Sequence, residues 1–270
     1  MGFSSISTSM ARTNVFFSLS HEAHLKALLA LAKIIQLERG SSSRPNATLP
    51  EGFIFPLDSI IALCGGSGDD TGTALVHFVG CDDFIRVDAI ANVQSTRVIR
   101  SGYAVLIDPD IWMNFGSHFP GVLNSMVEFM AGRNALSILN STCYASHRYS
   151  KRLPRLLLEA HGVLNKSEEW IPLSQSKIGA LMNARRETIA VELLSLSHDR
   201  IIETKRSRIR ILDIDALRRR SCGCFDKSVE LANRRIDIAK QMFASLPGNL
   251  PETLSSTNRQ TSKNGKDANH

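Results

Sequence analysis

Hydrophobic and polar positions change period along the chain. Between His21 and about Lys33, Leu25, Leu28, Leu29 and Ala32 recur at helical spacing. From Ile34 to Ile107 the pattern shortens. Runs rich in β-branched and aromatic residues ("KIIQL", "GFIF", "SIIAL", "ALVHFV", "TRVIR", "YAVLI") alternate with turn clusters such as "GGSGDDTG" and "RSG", which predicts a small all-β domain. After Asp108 and Pro109 helical spacing returns, with Val122, Met126, Phe129, Leu136 and Cys143 in a stripe broken by Arg133 and Asn140. Such a helix is about 30 Å long at 1.5 Å per residue. Its imperfect heptad predicts a two-helix dimer seam, the alternative being a helix packed on its own β domain. A last stripe, Phe225, Val229, Ala232, Ile236, Ala239, Phe243 and Leu246, predicts a helix with one buried face, set against the preceding domain or a dimer mate. Residues 1–20 are rich in Ser and Thr without periodicity and are expected to be a mobile arm, and residues 247–270 a disordered polar tail.

The stretch "SQSKIGALMNARRETIAVELLSL" (residues 174–196) holds two short striped helices joined by few residues. Ser174 is placed to cap the first, and Ile178, Leu181 and Met182 form its inner face. Gly179 lets the second helix approach, and Asn183 is a residue type that tolerates the positive φ of a sharp turn. In the second helix Ile189, Leu193 and Leu196 form the core stripe, while Glu187, Val191 and Ser195 point away. That helix opens with Arg185 and Arg186, which oppose its own dipole. Cations in that position serve a ligand, and the geometry is that of a recognition helix entering the DNA major groove. Two β-prone runs follow, Ile201–Thr204 and Ile209–Leu212, around the cationic turn Lys205–Arg208, as in the wing of a winged helix.

Charge agrees with this division. The balance of Lys and Arg over Asp and Glu is −3 in residues 1–147, +7 in residues 148–220 and +2 in residues 221–270. The positive excess therefore sits on the segment assigned to phosphate binding. The five cysteines are odd in number and scattered, as expected of reduced thiols in a cytoplasm. No stretch approaches the roughly 18 apolar residues of a membrane span. Cys222 and Cys224 alone are too few for a structural zinc site within one chain, so no metal is expected, with an intersubunit or redox role left open. His21, His24, His77 and His118 lack close-spaced metal partners. No motif pairs a nucleophile with a base, so the chain is not expected to be an enzyme.

The segments "LSQSKIGALMNARRETIAVELLSL" and "DRIIETKRSRIRILDIDAL" resemble the winged-helix domain of the Crp/Fnr transcription regulators. The likeness extends through "HRYSKRLPRLLLEAHG" and "SCGCF", and more faintly to "FIFPLDSIIAL" and "TRVIRSGYAVLI", which look like strands of that family's β-roll. The resemblance implies an α+β chain. Its parts are a β-roll of cyclic-nucleotide-binding type at 21–116, a dimerisation helix at 117–146, a winged helix-turn-helix at 147–220 and a C-terminal helix at 221–246. It implies a cytoplasmic homodimer on double-stranded DNA with an inverted-repeat operator, and RNA polymerase as a further partner. The residues expected at DNA are Ser174, Gln175, Arg185, Arg186, Glu187, Thr188, Val191, Lys205, Arg206 and Arg208, with Arg186 and Glu187 reading bases and Thr188 on a phosphate. Val191 stands where a polar reader is common, Asn183 replaces the usual turn glycine, and Glu192 takes a position usually apolar or small. The segment "DDFIRVDAIANVQSTRVIRSG" lacks the Gly-Glu-Leu and Arg-Ser/Thr-Ala elements of a cyclic-nucleotide pocket, and no cysteine precedes Cys64 to hold an iron–sulfur cluster, so no cofactor is expected. The alternative is a ligand-binding signalling module whose winged helix no longer binds DNA specifically.

Overall fold

The computed structural model describes residues 7–43, 48–65, 74–87, 94–164 and 169–244. The turn cluster 65–72 lies mostly outside these residues, as do the predicted tail 247–270 and part of the segment 82–102.

Three short helices open the chain: α1 (Thr8–Ala11), α2 (Val15–Leu19) and α3 (Glu22–Leu29). Residues 7–20 were expected to belong to a mobile arm, and they do not. Ser7 and Asn14 cap α1 and α2 with side-chain oxygens, and Phe16 and Phe17 are fully buried. Their partners are distant in sequence: Phe16 packs on Phe55, Phe84, Trp112, Phe129 and Phe243, with ring centroids 5.2–5.8 Å apart. Local periodicity carries no trace of such contacts.

The β domain follows, with β1 (Lys33–Leu37), β2 (Gly52–Pro56), β3 (Ile60–Gly65), β4 (Ala74–Val79), β5 (Ile85–Val87), β6 (Gln94–Arg100) and β7 (Gly102–Ile107). They form two antiparallel sheets, β1-β7-β2-β5 and β4-β3-β6. Ile54 and Ala104 from one sheet meet Ile61, Leu63 and Val98 from the other in a shared interior. The opposite faces are covered as well. Phe53, Phe55, Val105 and Ile107 lie under helices, and Ile60, Ala62, Leu75, Phe78 and Ile99 join the core of the C-terminal domain. Burial on both faces explains why β2 and β3 read as continuous apolar runs.

Helix α4 (Pro109–His118) leads into α5 (Pro120–Ser146). The stripe expected to be a dimer seam faces inward instead. Val122, Met126 and Phe129 join the aromatic core, and Leu136 and Cys143 are buried too. The two polar interruptions have buried partners: Arg133 pairs with Asp83 at 2.8 Å, and the Asn140 amide donates to the Val76 carbonyl. The other face of α5 is exposed along Val127, Ala131, Asn134, Ile138, Ser141 and Ala145, a second heptad rotated away from the first.

After α6 (Tyr149–Gly162) come the strand β8 (Trp170–Ile171), helices α7 (Gln175–Met182) and α8 (Arg186–His198), the hairpin β9 (Ile202–Lys205) and β10 (Arg208–Ile211), and helices α9 (Ile214–Arg220) and α10 (Cys224–Ala244). Helix α10 packs along α5 of its own chain. Its inward residues are Ser228, Arg235, Ala239 and Phe243, whereas Val229, expected in the buried stripe, is 40% exposed. Arg235 turns inward to bond Asp83 at 2.8 Å, over Gly132, where a Cβ would lie 2.8 Å from the Arg235 Cδ. A buried arginine in the contact face is what the hydrophobic pattern misjudged. Leu246 lies outside the described residues. Among the described residues no helix is long and apolar enough to cross a membrane.

Candidate nucleic-acid interface

The two helices of the motif are fixed by their ends. The Ser174 Oγ accepts from the Lys177 N–H at 3.2 Å and caps α7. Asn183 closes α7 in the left-handed region (φ 47°, ψ 54°), and the Ala184 N–H donates to the Gly179 carbonyl at 2.9 Å. A Cβ on Gly179 would stand 2.9 Å from the Ala184 carbonyl oxygen, so the turn itself requires glycine there. Helix α6 braces the turn: the Arg152 guanidinium donates to the Met182 carbonyl at 2.9 Å, and the Tyr149 hydroxyl to the Asn183 carbonyl at 3.2 Å.

Helix α8 follows at once. Ile189, Leu193 and Leu196 are buried as predicted, and the N-cap position falls on Arg185, whose side chain makes no cap. Arg185, Arg186 and Glu187 are exposed, and among the described residues neither arginine makes an ion pair. Thr188 is half-buried, and Val191 is 68% exposed. Leu194, 71% exposed, continues the Glu187–Val191 face at the next turn. Its i, i+4, i+7 spacing from Glu187 was available in the sequence but was outweighed by the core stripe beside it. Gln175, the first residue of α7, is half-buried.

The wing begins and ends one residue away from the predicted runs, pairing Arg208 with Lys205 across a two-residue turn in which Ser207 has φ 63°. Sequence reasoning missed its third strand. Trp170 on β8 lies against β10, and the cationic groups of Lys205, Arg208 and Arg210 sit 4.6, 4.8 and 5.1 Å from its ring centroid. Glu203 bridges Lys205 at 3.2 Å and Arg210 at 2.6 Å, and these two cations hold its carboxyl below the usual range. Lys205 and Arg208 are thus exposed but steadied by the tryptophan, while Arg206 stands at the turn with no ion pair among the described residues. Two helices are thus joined by a left-handed asparagine, with exposed cations at the start of the second and at the hairpin tip.

Residues 151–220 match the family model of the Crp-like helix-turn-helix domain. This segment is a Crp-like helix-turn-helix domain. Solved structures of that group share the fold over about three quarters of the chain. A Crp/Fnr transcriptional regulator from Eubacterium rectale is 15% identical with a TM-score of 0.60, covering 77% of this chain and 98% of that one. FixK2 from Bradyrhizobium japonicum is 13% identical with a TM-score of 0.59, covering 71% and 98%. A CooA mutant from Carboxydothermus hydrogenoformans is 12% identical with a TM-score of 0.52, covering 70% and 88%. No curated protein matches in sequence. The chain has the Crp/Fnr-type regulator fold, with a sheet-rich N-terminal region, a long helix and a helix-turn-helix DNA-binding domain.

The thiols form a separate locus. Cys222 and Cys224, too few for a metal when counted along the sequence, are joined in space by Cys143 and His147.

Proposed function

We propose that the chain is a homodimeric, sequence-specific DNA-binding regulator that sets α8 of each protomer in the major groove of an inverted-repeat operator. The observation that carries this reading is the N-terminal turn of α8, where Arg185, Arg186 and Glu187 are exposed on a helix whose own dipole disfavours the two cations. In this reading Arg186 forms paired hydrogen bonds with a guanine and Glu187 accepts from a cytosine amine. Val191 and Leu194 meet thymine methyl groups. Ser174, Gln175, Arg185, Thr188, Lys205, Arg206 and Arg208 position the domain on phosphates without reading sequence.

The dimer face is the outer heptad of α5. Val127 and Ile138, each 61% exposed, are large apolar residues left uncovered among the described residues. Asn134 sits between them at the same heptad spacing, the kind of polar core residue that fixes register in a two-helix seam. Two-fold symmetry then sets the half-sites about one DNA turn, roughly 34 Å, apart. A cytoplasmic location and RNA polymerase as the downstream partner belong to the same reading.

The test is selection from a random duplex pool with the purified protein. The reading expects enrichment of a two-fold symmetric sequence with half-sites about one turn apart. Retention of DNA with no enriched sequence would leave a non-specific cationic surface and contradict it.

A further inference from the structure

Four metal-ligating side chains converge where α5 ends and α10 begins. Cys143 and His147 are one turn apart at the end of α5, His147 being its C-cap residue. Cys222 and Cys224 flank Gly223 in the link from α9, and Cys224 is the first residue of α10. Their ligand atoms all lie within 4.8 Å of one another. The Cys143 and Cys222 sulfurs are 3.6 Å apart, and the Cys224 sulfur is 3.8 Å from His147 Nδ1. A tetrahedral zinc ion with Zn–S of about 2.3 Å and Zn–N of about 2.0–2.1 Å needs ligand–ligand edges of about 3.5–3.8 Å. Two edges already have that length, and the others need to close by about an ångström at most. The four atoms stand too close together to enclose several irons and their sulfides.

Burial and charge agree with a closed ion site. Cys143 and Cys222 are buried, while His147 and Cys224 are half-buried and leave an entry path from the rim. Three thiolates and a dication carry one net negative charge. The guanidinium of Arg155, only 4% exposed, lies beside Cys143 and offers a positive charge that it shares with Glu159, 2.8 Å away. A Cys143–Cys222 disulfide accounts for the cluster less well. It would require the sulfurs to close to about 2.05 Å, and it would leave Cys224 and His147 gathered for no reason.

We propose that Cys143, His147, Cys222 and Cys224 hold one zinc ion in a closed tetrahedral site that ties the end of α5 to the start of α10. Binding forms three Zn–S bonds and one Zn–N bond. It releases the thiol protons to solvent and uses His147 as a neutral donor through Nδ1. The ion would close a loop between segments 79 residues apart, at the junction between the long helix and the helix-turn-helix domain.

The test uses the full chain without a histidine tag, kept reduced, loaded with zinc or cobalt(II) and dialysed. Elemental analysis is expected to find one ion per chain, and the cobalt form to show the thiolate charge-transfer and strong ligand-field absorption of a tetrahedral site. Cys222→Ser and Cys224→Ser are expected to weaken binding by more than about 100-fold, beyond what loss of an outer-shell partner costs, while Cys81→Ser changes nothing. Cys224 is half-buried at a helix start, so its replacement tests the site even where a buried variant fails to fold. The proposal is overturned if the wild-type chain retains far less than one ion, if cobalt absorbs as an octahedral aquo-type ion, or if Cys81→Ser matches the ligand variants. It is equally overturned by a Cys143–Cys222 disulfide in protein handled without oxygen.

Discussion

Replacing Asp83 by alanine tests the packing account at its centre. Asp83 is fully buried between β4 and β5 and holds three basic groups: Arg133 of α5 at 2.8 Å, Arg235 of α10 at 2.8 Å, and His77 of β4 at 3.6 Å, the last too long for a hydrogen bond. Asp83→Ala would leave two guanidiniums without their carboxylate, and the Arg235 side chain is only 1% exposed. Removing one member of a buried pair costs about 3–5 kcal/mol, because the remaining charge stays desolvated. Urea unfolding should show that loss as a lower midpoint with an unchanged slope. Asp83→Asn, which keeps the shape but not the charge, should lose a similar amount. The same contacts predict acid lability. Burial pushes the Asp83 carboxyl up, but Arg133 and Arg235 outweigh it and hold it well below the usual range, so its contribution is present above about pH 3.9 and is lost as pH falls further. Burial holds His77 below its ordinary value, so the folded chain keeps it neutral while the unfolded chain takes a proton, and stability begins to fall below about pH 6.5. A cost under about 1 kcal/mol for Asp83→Ala would refute the argument that this carboxylate joins α5 and α10 to the β domain.

Three further outcomes are expected. Arg185→Ser supplies the missing cap of α8 and should raise stability by about 0.5–2 kcal/mol while weakening DNA binding, read by thermal melting and gel shift on the same preparation. Ile138→Asp on the outer face of α5 should give a folded monomer by light scattering, whereas Phe129→Ala on the inner face should cost about 3–5 kcal/mol of stability. Cyclic AMP and cyclic GMP should leave DNA affinity unchanged in a gel-shift titration, since a ligand shifts an equilibrium only through differential binding to its two states.

The helix-turn-helix could be read from the sequence because its determinants are local. Ser174, Gly179, Asn183 and the Ile189–Leu193–Leu196 stripe act within a few residues of one another, and their spacing alone defines the turn. Elements whose partners are remote were misread. Phe16 and Phe17 look like ordinary residues of a Ser-rich arm until Phe55, Trp112 and Phe243 are brought beside them. Helix α5 has two apolar faces, and the sequence does not say which one turns inward. The pairing of Arg133 and Arg235 with Asp83 decides it, by making polar positions into core positions. The thiol cluster was missed for the same reason, because Cys143 and Cys222 are far apart in the chain and adjacent only in the fold.

The most direct test of the central claim compares two arginines on cognate and random duplexes across a salt series. Arg186, at the first turn of α8, is assigned to a base edge, so Arg186→Ala should cost about 1–3 kcal/mol on the cognate site and remove the preference at one base pair of each half-site. Arg206, at the wing turn, is assigned to a phosphate, so Arg206→Ala should weaken both duplexes by similar factors and lower the salt slope by about one unit for each phosphate no longer neutralised. The ratio of cognate to random affinity should therefore collapse for Arg186→Ala and stay nearly constant for Arg206→Ala. If both substitutions leave that ratio unchanged, α8 is not the element that reads DNA.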